Sequence, residues 1–130
     1  MADVTNEDVV RRAYEAFNTG DMAALTELFD ADTVWHVPGN NALSGTYDGR
    51  DATFGMFGKL GQLTEGTYRP EAQKLETDGD VVVAHNHVIG KRGGNTLDAT
   101  SVIRFRLANG RIVEAKEIPE DQAAWDEFMA

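Results

Sequence analysis

Apolar residues recur along this chain in two rhythms, and the change between them falls near its middle. Up to about Leu63 they return every three or four positions, the period of a helix with one buried face. From Thr67 onward they return every second position, the period of a strand. A first helix is predicted from Thr5 or Asn6, either of which can cap it, with Glu7 and Asp8 favoured by the helix dipole in its first turn. Val9, Val10, Ala13, Tyr14, Ala16 and Phe17 supply its spacing, and Asn18-Thr19-Gly20 stops it. Asp21 caps a second, short helix with Met22, Leu25, Leu28 and Phe29 on one face. A strand runs from Thr33 to Val37 and ends at once, because Pro38 lacks an amide donor and Gly39 permits a turn. Leu43 to Tyr47 fits either a short strand or a structured loop. A third helical stretch runs from Gly49 to about Leu63 with Phe54, Met56, Phe57 and Leu60 as its apolar set. Its three internal glycines weaken it, each costing roughly 1 kcal/mol against alanine.

Four strands follow, Thr67–Glu76, Val81–Lys91, Asn95–Leu107 and Arg111–Ile118, joined at Asp78-Gly79, Gly93-Gly94 and Asn109-Gly110. Pro119 ends the last, and Glu120 and Asp121 start a short helix that uses Ala124, Trp125 and Phe128. Helices first and an antiparallel meander after them make an α+β order. In the last hairpin Leu97, Ala99, Ser101, Ile103, Phe105 and Leu107 form an apolar face. A two-residue Asn109-Gly110 loop would set Phe105 against Glu114 and bury the wrong side of the partner strand. A three-residue loop from Ala108 sets Phe105 against Val113, Ile103 against Ala115, Arg104 against Glu114 and Ser101 against Glu117, and is the preferred register. Val113, Ala115 and Glu117 then share the inner face, and Ile112, Glu114 and Lys116 the outer one.

At 130 residues the chain reads as a single domain, 1–130, large enough for a core without staples. It has no cysteine, so disulfides and thiolate metal sites are excluded and a reducing cytoplasm is consistent. The first seven residues carry neither a basic region nor an apolar run, so no secretory leader is expected, nor is any segment long enough to span a bilayer. The net charge of −10 disfavours nucleic acid and anionic membrane as partners. The three histidines, His36, His85 and His87, lack the helical spacing of a zinc site, so no metal is expected. A phosphate cradle, a serine elbow and a thiol nucleophile are all missing.

What remains is acid–base chemistry. His36 closes an apolar strand beside the loop Gly39-Asn40-Asn41, and imidazole is the side chain that titrates near neutrality. Glu117, a carboxyl on an apolar face, loses hydration and is expected to titrate high. Either residue reads equally as structural: a histidine hydrogen-bonded at a strand end, or a carboxylate at a solvated rim. His85 and His87 share one face of their strand with Val83 and Ile89, and Asn86 the other with Ala84 and Val88. Which of these faces is interior stays open. Tyr14 and Tyr47 offer phenols, and Asp121 is most simply a helix cap.

Several strings carry a family resemblance: Tyr14-Glu15-Ala16-Phe17-Asn18-Thr19-Gly20-Asp21, Trp35-His36-Val37-Pro38-Gly39, Gly45-Thr46-Tyr47-Asp48-Gly49-Arg50-Asp51, and Asn109-Gly110-Arg111-Ile112-Val113-Glu114 with Glu117 and Asp121. Together they resemble the SnoaL-like branch of the NTF2-like superfamily, which also holds ketosteroid isomerases and limonene epoxide hydrolases. The resemblance implies a cone: a curved antiparallel sheet wrapped around N-terminal helices, with an internal apolar cavity and pairing as a homodimer through the outer sheet face. It places the isomerase base position at His36 and a partner position near Ser101, with Tyr14 about one residue from the family tyrosine. A cyclase-type acid falls at Glu117 or Asp121. A hydrolase-type Asp–Arg–Asp set would have to use Asp98 and Arg104, which the strand period turns outward.

The expectation is a cytoplasmic, cofactor-independent enzyme that moves a proton on an apolar, carbonyl-bearing small molecule. His36, Glu117 and Asp121 are its catalytic candidates, and Tyr14, Trp35, Phe57, Ser101 and Ile103 its substrate-binding candidates. A non-catalytic ligand-binding or assembly module of the same shape is the alternative, and an epoxide hydrolase-like enzyme a second.

Overall fold

The computed structural model describes residues 5–130; residues 1–4, part of the stretch read for a leader, lie outside them. The chain runs α1 (Asn6–Thr19), α2 (Met22–Leu28), β1 (Phe29–Val37), β2 (Gly45–Asp48), α3 (Arg50–Leu63), β3 (Arg69–Asp78), β4 (Val81–Arg92), β5 (Asn95–Ala108), β6 (Arg111–Pro119) and α4 (Gln122–Phe128). Thr5 caps α1 in a reciprocal capping box with Asp8, and Gly20 ends it in the left-handed conformation, φ 72°. Asp21 caps α2 as expected, but Met22 does not join its buried face. It is 50% exposed, because the first turn of this short helix projects into solvent.

The six strands form one curved, open sheet in the order β2-β1-β6-β5-β4-β3. All pairs are antiparallel except β1 with β6. The helices pack on its inner side, α1 over β3, β4 and β6, and α3 over β1 and β2. Burial alternates along β4 and β5, so Val82, Ala84, Asn86 and Val88 face in together with Leu97, Ser101, Ile103, Phe105 and Leu107. His85 and His87 therefore lie on the outer face, where their Nε2 atoms sit 2.6 Å from Glu76 and Asp98 carboxylate oxygens. Among the described residues no helix is long and apolar enough to cross a membrane.

The β5–β6 hairpin corrects the predicted register. The turn is the two-residue one, with Ala108 opposite Arg111 and Leu107 opposite Ile112. A bulge then shifts the pairing, so that Arg106 meets Glu114, Arg104 meets Lys116, Phe105 meets Ala115, Ile103 meets Glu117 and Ser101 meets Pro119. Val113 is the extra residue. It lets Ile112 and Ala115, three apart, both be fully buried, which strict alternation forbids. The inner face of β6 is thus Ile112, Ala115 and Glu117. The bulge does what a longer loop was invoked to do, and it brings Glu117 inside beside Ile103 rather than opposite Ser101.

Candidate functional site

Between the inner sheet face and the helices lies an apolar hollow of about 740 Å³, counting the space at its open mouth. Aromatic rings build much of its wall. Trp35 and Phe57 meet edge to face with centroids 5.1 Å apart, Phe17 and Phe57 at 5.2 Å, and Tyr68 and Trp125 at 6.2 Å. α1 contributes Tyr14, β5 contributes Ile103 and Phe105, and α4 and the residue after it contribute Trp125 and Met129. Among the described residues a single carboxyl lines this space, that of Glu117.

Glu117 is half-buried: it keeps some accessible surface where it borders the hollow, and the protein packed around it strips most of its hydration. Loss of hydration pushes its carboxyl up to about 7, opposed only by the nearby indole N–H of Trp35. That N–H is buried and does not reach full hydrogen-bond geometry with any acceptor, so its opposition is weak. Near neutral pH the carboxyl therefore divides between its acid and base forms. Three phenols feel it. Tyr14, Tyr47 and Tyr68 are all raised, chiefly by their own burial and further by the Glu117 charge. Each keeps its proton at neutral pH and serves only as a neutral hydrogen-bonding group. Tyr14 Oη donates to Asn86 Oδ1 at 2.6 Å, and Tyr47 Oη donates to the Leu43 carbonyl at 2.8 Å.

A smaller, more polar chamber of about 270 Å³ adjoins the first. Val37, Asn41, Glu117 and Trp125 border both, and Ser101 and Gln122 line the second. The loop from Pro38 to Ser44 closes this end by clasping α4. Asp126 accepts from the Asn40 N–H at 3.0 Å, Asn41 Nδ2 at 2.9 Å and Gln122 Nε2 at 3.0 Å. The amide of Asn41, first among these, holds the Asp126 carboxyl below its ordinary range. Gly39 makes the clasp possible. Its φ is 89°, and a Cβ there would stand 2.1 Å from Gln122 Nε2 and 2.4 Å from Asp126 Oδ1.

The predicted site residues separate. Tyr14, Trp35, Phe57, Ile103 and Glu117 line the main hollow, and Ser101 lines the smaller one. His36 does not join them. Trp35 and Val37 point inward, so the strand period turns His36 to the outer face. There Nε2 lies 3.1 Å from Glu114 Oε2 and Nδ1 lies 3.2 Å from Thr46 Oγ1. The expectation that imidazole 36 and carboxyl 117 share one space is thus corrected. Asp121 is exposed and caps α4 by accepting from the Ala124 N–H, outside both chambers. Asp98 and Arg104 are exposed on the outer face, apart from the hollow.

Sequence reasoning missed Tyr68, Asn41 and Met129 as lining residues and Asn86 as the partner of Tyr14. Asn86 left a signal: it shares its strand face with Val82, Ala84 and Val88, so an apolar face carries one amide. Tyr68 left one as well: in the stretch predicted as strand from Thr67 it shares a face with Pro70, and both line the hollow, although β3 itself begins only at Arg69.

Comparison with known proteins supplies the family. An uncharacterised protein of Mycobacterium tuberculosis is 34% identical over 132 residues, covering all of both chains. The structure of Bal32a, from a soil-derived mobile gene cassette, superposes with a TM-score of 0.94 at 40% identity over 96% of each chain. That of IdmH, a candidate polyketide cyclase from Streptomyces antibioticus, superposes with a TM-score of 0.75 at 24% identity over 89% of this chain and 92% of its own, a likeness of fold. The SnoaL-like domain model matches residues 10–115, which carry nearly the whole wall of the hollow. The open cone, its aromatic lining and this match agree: the chain belongs to the SnoaL-like domain family.

Proposed function

We propose that this protein binds an apolar, carbonyl-bearing small molecule in the hollow and moves a proton on it, with Glu117 as the general base and acid. The observation that carries the reading is one half-buried carboxyl, pushed up to about 7, in an otherwise apolar and aromatic wall. A base poised near the working pH abstracts a proton and returns it with little penalty either way. One carboxyl is sufficient for a proton shift, since the group that removes the proton also delivers it to the new carbon. Tyr14, kept neutral, is the hydrogen-bond donor for the oxygen on which charge develops. The cyclase description of IdmH, a fold neighbour, is compatible with such chemistry.

Deuterium exchange at the α-carbon of a panel of aromatic ketones and enones, followed by NMR in D2O, tests the proposal. Glu117→Gln is expected to lower the exchange rate at least about 100-fold while the ketones still bind. The rate of the unaltered protein should rise with pH through about 7, as the basic form fills. Binding without exchange by the unaltered protein would leave a ligand-binding module instead. For the outer face, where Ile89 is 42% and Ile118 45% exposed, we propose pairing with a second copy. A monomer in sedimentation equilibrium would refute that.

A further inference from the structure

Tyr14 and Asn86 form a pair whose hydrogen bonding does not balance. The phenol spends its one proton on Asn86 Oδ1, at 2.6 Å. Asn86 is 2% exposed, and its Nδ2 has no acceptor. Yet Tyr14 lines the hollow and is placed to donate to whatever enters. As the pair stands, its proton is not available.

We propose that Asn86 is a positioning residue that turns its amide end for end when a ligand brings an acceptor to Tyr14, converting the phenol from a donor to Asn86 into a donor to the ligand. This rests on the reading that the hollow takes a carbonyl ligand. An amide can present either end to a phenol, because a hydroxyl both donates and accepts. With Oδ1 toward Tyr14, the phenol is satisfied and one amide donor is orphaned. With Nδ2 toward Tyr14, the amide donor is satisfied and the phenol O–H is orphaned instead, since the space it faces is apolar. Without a ligand the present state leaves the amide donor unpaired, whereas the turned state leaves both the phenol O–H and the amide oxygen unpaired, so the present state is favoured. A carbonyl oxygen at Tyr14 reverses that preference. The turned state then makes two hydrogen bonds, Nδ2 to Oη and Oη to the ligand, against one in the present state, so the ligand itself drives the exchange.

The surroundings suit a rotation rather than a displacement. Asn86 lies mid-strand on β4, hydrogen-bonded between β3 and β5 with Ala72 and Ser101 as its neighbours across the sheet, so its backbone is fixed. Ser101 faces inward opposite it across the sheet, but no polar group stands within hydrogen-bond distance of Nδ2, so the turn carries the amide oxygen into a place without a donor. In the turned state Nδ2 donates to Tyr14 Oη while Oη donates to the ligand, and each bond polarises the next. Asn86 thus acts on the ligand only through Tyr14, without touching it.

The test uses 1-tetralone with a ¹³C-labelled carbonyl and the unaltered, ¹⁵N-labelled protein, with occupancy followed by quenching of Trp35 and Trp125 fluorescence. In the free protein the NOEs from the Asn86 side-chain amide protons to the Tyr14 ring should be weak, because the amide oxygen is the end toward the phenol. On saturation these NOEs should strengthen, one amide proton should move downfield, and the carbonyl infrared band should fall below its position in hexane. Tyr14→Phe should abolish all three changes while retaining binding. Asn86→Leu should still lower the carbonyl band, but by less, because the phenol is free yet unpolarised. A bound ketone with a lowered carbonyl band but an unchanged amide signal would overturn the switch and leave the pocket reading intact. NOEs of equal strength in the free and bound protein would overturn it too. Failure of the ketone to bind would remove both readings.

Discussion

Replacing Glu117 with glutamine should stabilise this protein, and by more as the pH rises. The carboxyl is pushed from an ordinary 4.5 up to about 7 by burial. The folded state therefore holds a proton through a window in which the unfolded chain has already released it. A raised acid of this kind contributes its stability at low pH and loses it as the pH climbs from about 4.5 through 7. The separation amounts to roughly 3 kcal/mol of stability lost by pH 8 and about 1 kcal/mol by pH 5, at about 1.4 kcal/mol per pH unit. Glutamine keeps the shape and carries no charge, so it escapes the loss. Urea unfolding of both proteins, followed by circular dichroism at pH 5 and pH 8, gives the needed difference. Taking the gap between variant and parent at each pH cancels the titration of every other carboxylate. The gap should widen by about 2–3 kcal/mol between the two values, on the order of 10 °C in Tm at pH 8. A gap of constant size would mean that water reaches the carboxyl freely, and the reasoning about the hollow would fail with it. The proposed base is thus expected to be held at the expense of stability.

Other perturbations separate the parts. His36→Ala should return Glu114, lowered first by its hydrogen bond to His36, toward 4.5 in a ¹³C NMR titration, with the Glu117 midpoint still near 7; a moving Glu117 midpoint would contradict the placement of these residues on opposite faces. Tyr14→Phe should cost about 1–3 kcal/mol in urea unfolding by stranding the Asn86 carbonyl, and a neutral result would refute the buried bond. Gly39→Ala should cost about 1–3 kcal/mol through strained backbone and collision with α4, and an unchanged Tm would show that the loop does not clasp that helix. Asp126→Ala should speed amide exchange at Asn40 and at Ala42, whose N–H donates to the Met129 carbonyl at 3.1 Å; unaltered protection would locate the closure of this end elsewhere.

The elements were legible because their signals are local. Of the two capping candidates Thr5 and Asn6 it is Thr5 that caps α1, Asp21 caps α2 as expected, and Gly20 stops α1 in the one conformation that favours glycine. The inner face of β5 follows directly from its alternation. The register of β6 was not legible, because a bulge leaves no mark in composition; only the burial of both Ile112 and Ala115 reveals it. The placement of Glu117 inside was read correctly from an incorrect pairing. His36 shows the opposite failure. Its own chemistry drew attention, although the large apolar neighbour Trp35 already fixed which way the strand faces. The strand period marked which faces Asn86 and Tyr68 share, but the meeting of Asn86 with Tyr14, 72 residues away, is one that no local pattern reports.

The extra residue in β6 has a consequence for how this architecture can diversify. The turn-proximal half of that strand and its far half keep different phases, and one valine separates them. Pairing the same residues without the bulge would leave Ile112 in the core while carrying the acid through the sheet to its exterior, as strict alternation requires. The pairing of this strand, rather than the identity of any side chain on it, thereby decides whether this cone presents a proton donor to its contents. A relative with the same residues on an unbulged strand would hold the same shape around an inert interior.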